Sequence, residues 1–217
     1  MDQKTTFLIL LGGNLEKTAR LREQIADARV IAADGGMFHA HDLKLKPEVW
    51  VGDFDSSPPD LQQRWSRTPR KPYPAAKNLT DGEIAVEEAL ALGAQRIVLA
   101  GALGGERSDH AFFHMALACA LKARDIDVLL TSGLEEGWAL GTGSCTIDLP
   151  AASMFSILNF SDVSALSIAG ARYGLEDHDL DFGSSRTISN VAEGPVTVTL
   201  GSGTALLLAR PFDLSGE

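Results

Sequence analysis

Along roughly the first 130 residues, short apolar runs alternate with segments whose apolar positions recur at helical spacing. The runs at 6–11, 29–33, 48–51, 96–100 and 126–131 are dominated by aliphatic side chains and read as buried strands. Helices are expected over 15–28, 37–43, 58–65, 80–92 and 108–122. Pro58-Pro59 suits the start of the third. Thr80 and Glu83 form a capping box for the fourth, which stops at Gly93. A Pro-rich connector covers 69–74. This strand–helix alternation predicts an α/β unit, a mostly parallel sheet with helices on both faces. After about Ser132 the pattern changes. Apolar and β-branched runs at 145–149, 154–160, 165–169, 195–200 and 205–209 are separated by Gly, Ser and Asp clusters, without helical spacing. They predict a smaller all-β unit, an antiparallel sandwich or partly closed barrel. The boundary falls near 134–137, giving expected domains of 1–134 and 135–217.

With 217 residues, 45% apolar and 22% charged, the composition is that of an ordinary globular protein. No apolar run approaches the roughly 20 residues of a membrane helix. The run Phe7 to Leu11 is short and ends at Gly12-Gly13, unlike a secretory signal, so a cytoplasmic location is expected. A net charge of −10 argues against nucleic acid and membrane partners. A phosphate-bearing substrate would then need a metal bridge or local cations, which draws interest to Lys77 and Arg107. Cys119 and Cys145 stand far apart in the sequence without metal spacing and are expected as small core residues.

The chemistry centres on Val51-Gly52-Asp53-Phe54-Asp55-Ser56-Ser57. In extended chain, Asp53 and Asp55 point the same way, with Phe54 opposite them as an anchor. Alternating carboxylates suit Mg²⁺ or Ca²⁺ better than zinc. A solvated turn capped by Ser56 or Ser57 would use the same residue types. The neighbours favour a site. Asp34 follows the second predicted strand, Asp81 opens a helix, and Arg107, Asp109 and His110 follow the strand at 96–100. Ligands of an open parallel sheet bind beyond the carboxyl ends of its strands. Phosphoryl-type transfer fits: carboxylates hold Mg²⁺, Gly104-Gly105 offers amides to phosphate, and Arg107 meets developing charge. Other patterns carry less. Leu11 to Thr18 lacks the glycine of a Walker loop; His110 and His114 lack the acid of a zinc helix. His39 and His41 read as a solvated helix end, Trp50 and Trp65 as core, and Trp138 as either a stacking platform or a seal near the boundary.

Four blocks, taken together, resemble the thiamine pyrophosphokinase (thiamine diphosphokinase) family. They are Ala32-Ala33-Asp34-Gly35-Gly36, Pro47 to Ser56, Lys77-Asn78-Leu79-Thr80-Asp81, and Gly104 to His110; Ile188-Ser189-Asn190 follows much later. The resemblance implies an α/β ATP-binding catalytic domain followed by a thiamine-binding β-sandwich. It implies Mg²⁺-dependent transfer of a diphosphate from ATP to thiamine, giving thiamine diphosphate and AMP. It also implies a homodimer with each active site near the subunit interface. By position, Asp34, Asp53, Asp55 and Asp81 would be the metal and catalytic acids. Arg107 and Asp109 would share in catalysis, and Lys77, Gly104, Gly105 and His110 would bind the nucleotide. Ser189 and Asn190 would meet thiamine. Three positions depart from the usual pattern: Glu106 precedes Arg107, Asn78 follows Lys77, and no aromatic follows Asn190 closely. Two other readings keep part of this site, a diphosphokinase acting on another alcohol such as a hydroxymethylpterin, and a non-catalytic sensor of thiamine diphosphate or a nucleotide.

Overall fold

The computed structural model describes residues 4–54, 57–74 and 78–216. They form two compact units, Met1–Ala111 with Ile126–Gly133, and Phe112–Asp125 with Leu134–Glu217.

In the first unit, β1 (Thr6–Leu10), β2 (Arg29–Ala33), β3 (Val49–Gly52), β4 (Arg70–Pro72), β5 (Arg96–Ala100) and β6 (Asp127–Thr131) lie in the order β6-β5-β1-β2-β3-β4. Every pairing among them is parallel. Successive strand residues point to opposite faces, yet Phe7, Leu8, Ile9 and Leu10 are all 0% exposed. The centre of the sheet is therefore covered on both sides. Helix α2 (Met37–Leu43) packs on β1 and β2, and α4 (Asp81–Ala91) packs on β1, β2 and β3. The chain steps from β1 outward to β4, then returns to the other side of β1 for β5 and β6. The topological switch point is thus between β1 and β5.

Two expectations change here. Helical spacing over 15–28 yields only α1 (Ala19–Gln24). The Glu16 amide donates to the Ser132 carbonyl at 2.7 Å, and the Thr18 hydroxyl donates to Gly133 O at 3.3 Å. These long-range bonds hold 15–18 extended, and Thr18 caps the helix by accepting from the Leu21 amide at 3.0 Å. Within the Pro-rich connector, β4 pairs with β3 as a sheet edge, where a proline is tolerated. Helix α3 (Pro59–Arg64) precedes it.

The loops at the carboxyl ends pack main chain against main chain. A side-chain carbon on Gly36 would lie 2.0 Å from the Leu10 carbonyl oxygen. One on Gly101 would lie 2.6 Å from Leu11 O, and one on Gly13 2.3 Å from Gly101 O. Gly36 has ordinary right-handed helical dihedrals, so its need for glycine is one of space.

The second unit carries most of α5 (Ser108–Lys122) and strands β7 (Glu136–Leu140), β8 (Gly143–Ile147), β9 (Met154–Asn159), β10 (Val163–Ala171), β11 (Leu175–Leu180), β12 (Asn190–Leu200) and β13 (Ala205–Arg210). Its described pairings are antiparallel. β12 belongs to two sheets. Its start joins β7-β13-β9; it pairs with β10 at Ala192 and again over 197–199, and with β8 from Val196 to Leu200, with β11 beside β10. A bulge at Gly170 lets β10 follow the bend: a side-chain carbon there would lie 2.2 Å from Pro195 O. Leu140, Ile147, Phe155, Ile157, Leu166, Ile168, Val196, Val198 and Leu207 fill the interior. Cys119 is buried and donates weakly to Ala205 O at 3.8 Å, whereas Cys145, expected in the core, is exposed. Trp50 is fully buried; Trp65 is only half-buried.

The Gly35–Gly36 pair tests the close packing. Nothing lies within 4 Å of a side-chain carbon built on Gly35. Gly36→Ala is expected to cost about 1–3 kcal/mol in denaturant unfolding, the range of an overpacked site. Gly35→Ala is expected to stay within about 0.5 kcal/mol of wild type. Equal costs would remove the steric explanation.

Candidate active site

The β2–β3 register sets Ala33 beside Val51, so Asp34 and Gly52 leave the sheet side by side. A side-chain carbon on Gly52 would touch Asp34 Cβ at 3.2 Å, and Gly52 has φ +149. Asp34 itself turns left-handed, at φ +40. Its carbonyl accepts from the Trp50 indole Nε1 at 2.9 Å, and its carboxylate from the Ser57 hydroxyl at 3.4 Å. Asp53 comes next in the chain and is half-buried. Phe54, at φ +62, sets its ring edge-on to Trp50, with centroids 5.0 Å apart. The Arg70 guanidinium lies over both rings, at 5.1 Å from Trp50 and 5.6 Å from Phe54. The Ser57 amide donates to Phe54 O, and Gln62 Nε2 donates to Ser57 O at 2.9 Å. Phe54 thus anchors the acidic turn against Trp50, but its left-handed backbone is not the extended chain from which Asp53 and Asp55 were expected to point the same way. Asp55, Ser56 and Lys77 lie outside the described residues.

Asp81 is the first residue of α4, half-buried, where the helix dipole favours a negative charge. The capping box is complete: the Glu83 amide donates to Thr80 Oγ1 at 3.2 Å and the Thr80 amide to Glu83 Oε2 at 2.8 Å.

Beyond β5, Gly104 and Gly105 are exposed and left-handed, at φ +71 and +85. Arg107 and Asp109 form a two-point ion pair, with Nε donating to Oδ1 at 2.9 Å and Nη2 to Oδ2 at 2.7 Å. The Arg107 guanidinium holds the Asp109 carboxyl well below the usual carboxylate range. His110 is exposed in the first turn of α5.

The loop after β1 fails the Walker pattern, and none of its residues is among the expected site residues. Gly12, Gly13 and Asn14 occupy the switch point. A side-chain carbon on Gly12 would lie 3.8 Å from the Gly35 backbone, and one on Gly105 would lie 3.9 Å from Asn14. His39, expected as solvated, is half-buried with Nε2 2.8 Å from Gly13 O. The signal was present: a Gly-Gly pair follows β1 as Gly35-Gly36 follows β2.

In the second unit, Ser189 is exposed at φ +61, and its amide donates to Ser156 Oγ at 3.0 Å. Asn190 is only 4% exposed. Its Oδ1 accepts from the Tyr173 and Val191 amides at 3.1 and 2.8 Å, and its Nδ2 donates to Tyr173 O at 2.9 Å. The side chain fixes the start of β12. Ser189 lines a cavity of about 330 Å³ with Ser156, Glu135, Arg210 and Asp213. Arg210 pairs with Asp213 at 2.9 Å there.

Among the described residues, no three His, Cys, Asp or Glu side chains lie close enough together to hold a metal ion. Asp53 has the hard oxygen donors that Mg²⁺ prefers.

Two family models match the chain. "Thiamin pyrophosphokinase, catalytic domain" covers residues 22–130, and "Thiamin pyrophosphokinase, vitamin B1 binding domain" covers 144–205. No match was found among curated proteins. Among solved structures, the chain is similar to thiamine pyrophosphokinase from Bacillus subtilis, with a TM-score of 0.84 at 23% identity over 95% of this chain and 99% of that one. It is similar to thiamin pyrophosphokinase from Geobacillus thermodenitrificans, with a TM-score of 0.81 at 27% identity over 94% and 97%. Thiamin pyrophosphokinase from Candida albicans gives 0.75 at 15% identity over 95% and 89%.

The Arg107–Asp109 pair has a pH signature. A depressed carboxyl pKa adds stability that is present above the usual value, about 4, and is lost as pH falls through the depressed one. In Arg107→Gln, carbon-detected NMR titration is expected to return Asp109 toward that usual value. A carboxyl that stays low without Arg107 contradicts the pairing.

Proposed function

The chain belongs to the thiamin pyrophosphokinase family, and on that premise we propose that it acts as a thiamine diphosphokinase using Mg²⁺ and ATP. The thiamine hydroxyl oxygen bonds to the β-phosphorus of ATP. The bond from that phosphorus to the bridging oxygen of the α-phosphate breaks, and AMP leaves. The hydroxyl proton passes to a carboxylate, and thiamine diphosphate is the product. The observation that carries this reading is the packing of Asp34 against Gly52, with Asp53 following, on the sheet edge where the loops after β1 and β5 flank the switch point.

Roles follow from place and chemistry. Asp53, Asp55 and Asp81 supply hard oxygens for Mg²⁺, which when bound neutralises phosphate charge. Asp34 or Asp81 takes the proton. Gly104 and Gly105 present backbone to the phosphates, and Lys77 and His110 have the cationic and donor groups to bind the nucleotide. Arg107 meets charge on the transferred group, and Asp109 orients its guanidinium. Ser189 contributes to thiamine recognition, while Asn190 keeps Ser189 in place through its bonds to Tyr173 and Val191. We take the working form to be a homodimer in the cytoplasm. Tyr173, Phe182, Ile188 and Phe212 are large apolar side chains left exposed on the second unit, the kind of surface that subunit contacts cover. The net charge of −10 supports the absence of nucleic acid and membrane partners.

Incubation with Mg²⁺, ATP and thiamine is expected to give AMP and thiamine diphosphate in equal amounts, with a hydroxymethylpterin giving far less. Asp53→Asn is expected to lower kcat by on the order of 10²-fold or more, as for loss of a charge-stabilising group, while its unfolding transition stays near wild type. Wild-type turnover by Asp53→Asn would remove the metal role, and no AMP from the native protein would remove the activity.

A further inference from the structure

The loop after β1, like those after β2 and β5, carries glycines. Glycine backbone is conformationally permissive, so Gly12-Gly13 needs its position fixed from outside. Its flanks are bonded: the Leu11 amide donates to Ala100 O at 2.8 Å and the Glu16 amide to Ser132 O at 2.7 Å. Its centre is held by α2. The ring of His39, half-buried, places Nε2 2.8 Å from the Gly13 carbonyl oxygen. A carbonyl only accepts, so Nε2 carries the proton. A second tie from the same helix lies nearby, where Lys17 Nζ donates to Asp42 O at 2.8 Å. Gly13 is also pressed on Gly101, Gly12 faces Gly35, and Asn14 faces Gly105. The loops after β1, β2 and β5 therefore meet around Gly12–Asn14, and His39 bonds to the carbonyl at the middle of that stretch.

We propose that His39 is a positioning residue for the nucleotide phosphates, its Nε2–H bond to Gly13 setting the Gly12–Asn14 backbone in the shape that receives the triphosphate. The inference rests on the diphosphokinase reading above. His39 acts through Gly13, since the nitrogen it directs at the loop is used by that carbonyl. The bond lies within the protein, between a helix side chain and loop backbone. Its loss therefore weakens nucleotide binding uniformly, raising KM for ATP and leaving kcat largely alone. Imidazole with Nε2–H and imidazolium both donate, so the effect does not follow the charge of the ring.

The test uses the full chain with Mg²⁺ and a non-hydrolysable ATP analogue, together with steady-state kinetics. His39→Leu is expected to weaken analogue affinity and raise KM for ATP on the order of 3- to 10-fold, the value of one net hydrogen bond. KM for thiamine and kcat are expected to stay within about twofold, a margin below that hydrogen-bond range. His39→Gln, whose amide Nε2 can donate to the same carbonyl, is expected to recover most of the affinity. Nitrogen NMR on the native protein supplies a reading that does not depend on a folded variant: neutral His39 is expected as the Nε2–H tautomer. An Nδ1–H tautomer, nucleotide affinity unchanged in His39→Leu, or a loss confined to kcat overturns the proposal. Native protein that makes no AMP would instead sink the functional reading, so the two failures are told apart.

Discussion

Everything at the sheet's carboxyl edge depends on main chain approaching main chain without side chains between. Leu10 O sits where a β-carbon on Gly36 would be, and Gly13 and Gly101 share the same kind of space. The interior tolerates little overlap, so each of these glycines is fixed by its neighbour's backbone. The loops after β1, β2 and β5 are consequently locked to one another. That constraint explains the local strain at Asp34. A left-handed aspartate is uncommon, and here it is held by the Trp50 indole on its carbonyl and by Gly52 beside it.

The same economy governs the acidic turn. Asp53 is carried on a segment whose aromatic underside, Trp50 and Phe54, is clamped by Arg70 from an edge strand. Charged groups in such a site must be positioned before substrate arrives, because the chemistry of phosphoryl-type transfer is chiefly alignment and charge balance. Arg107 illustrates the balance. Its guanidinium is matched by Asp109 two residues on, which orients it at the mouth of the β5 loop. In the second unit, Asn190 plays the corresponding part by spending its amide on the backbone that presents Ser189.

Much of the fold was legible because most of the first unit's strands are continuous apolar runs and α4 opens with a capping box. The parallel sheet followed from alternation, and the position of Asp34, Asp53 and Gly104 after strands followed from the parallel sheet. What stayed hidden depended on long-range bonds. Residues 15–18 have helical spacing but bond to Ser132 and Gly133 instead. β11 is Leu-Glu-Asp-His-Asp-Leu, too polar to read as a strand, and sits at an edge where polar residues are accommodated. β4 was masked by Pro72. The loop at Gly12-Gly13 was weighed against one phosphate-binding pattern, which it fails, and its real partners lie on three other segments. Pairing of Arg107 with Asp109, and of His39 with Gly13, is a matter of rotamers that spacing does not encode.

If a nucleotide triphosphate is received by these mutually locked backbone loops, as proposed above, its binding must reach all three of them. Hydrogen–deuterium exchange with and without Mg²⁺ and a non-hydrolysable ATP analogue tests it most directly. Exchange is expected to slow together at 12–14, 34–36 and 104–109. Slowing confined to the second unit, with those three loops unchanged at saturating nucleotide, would contradict it.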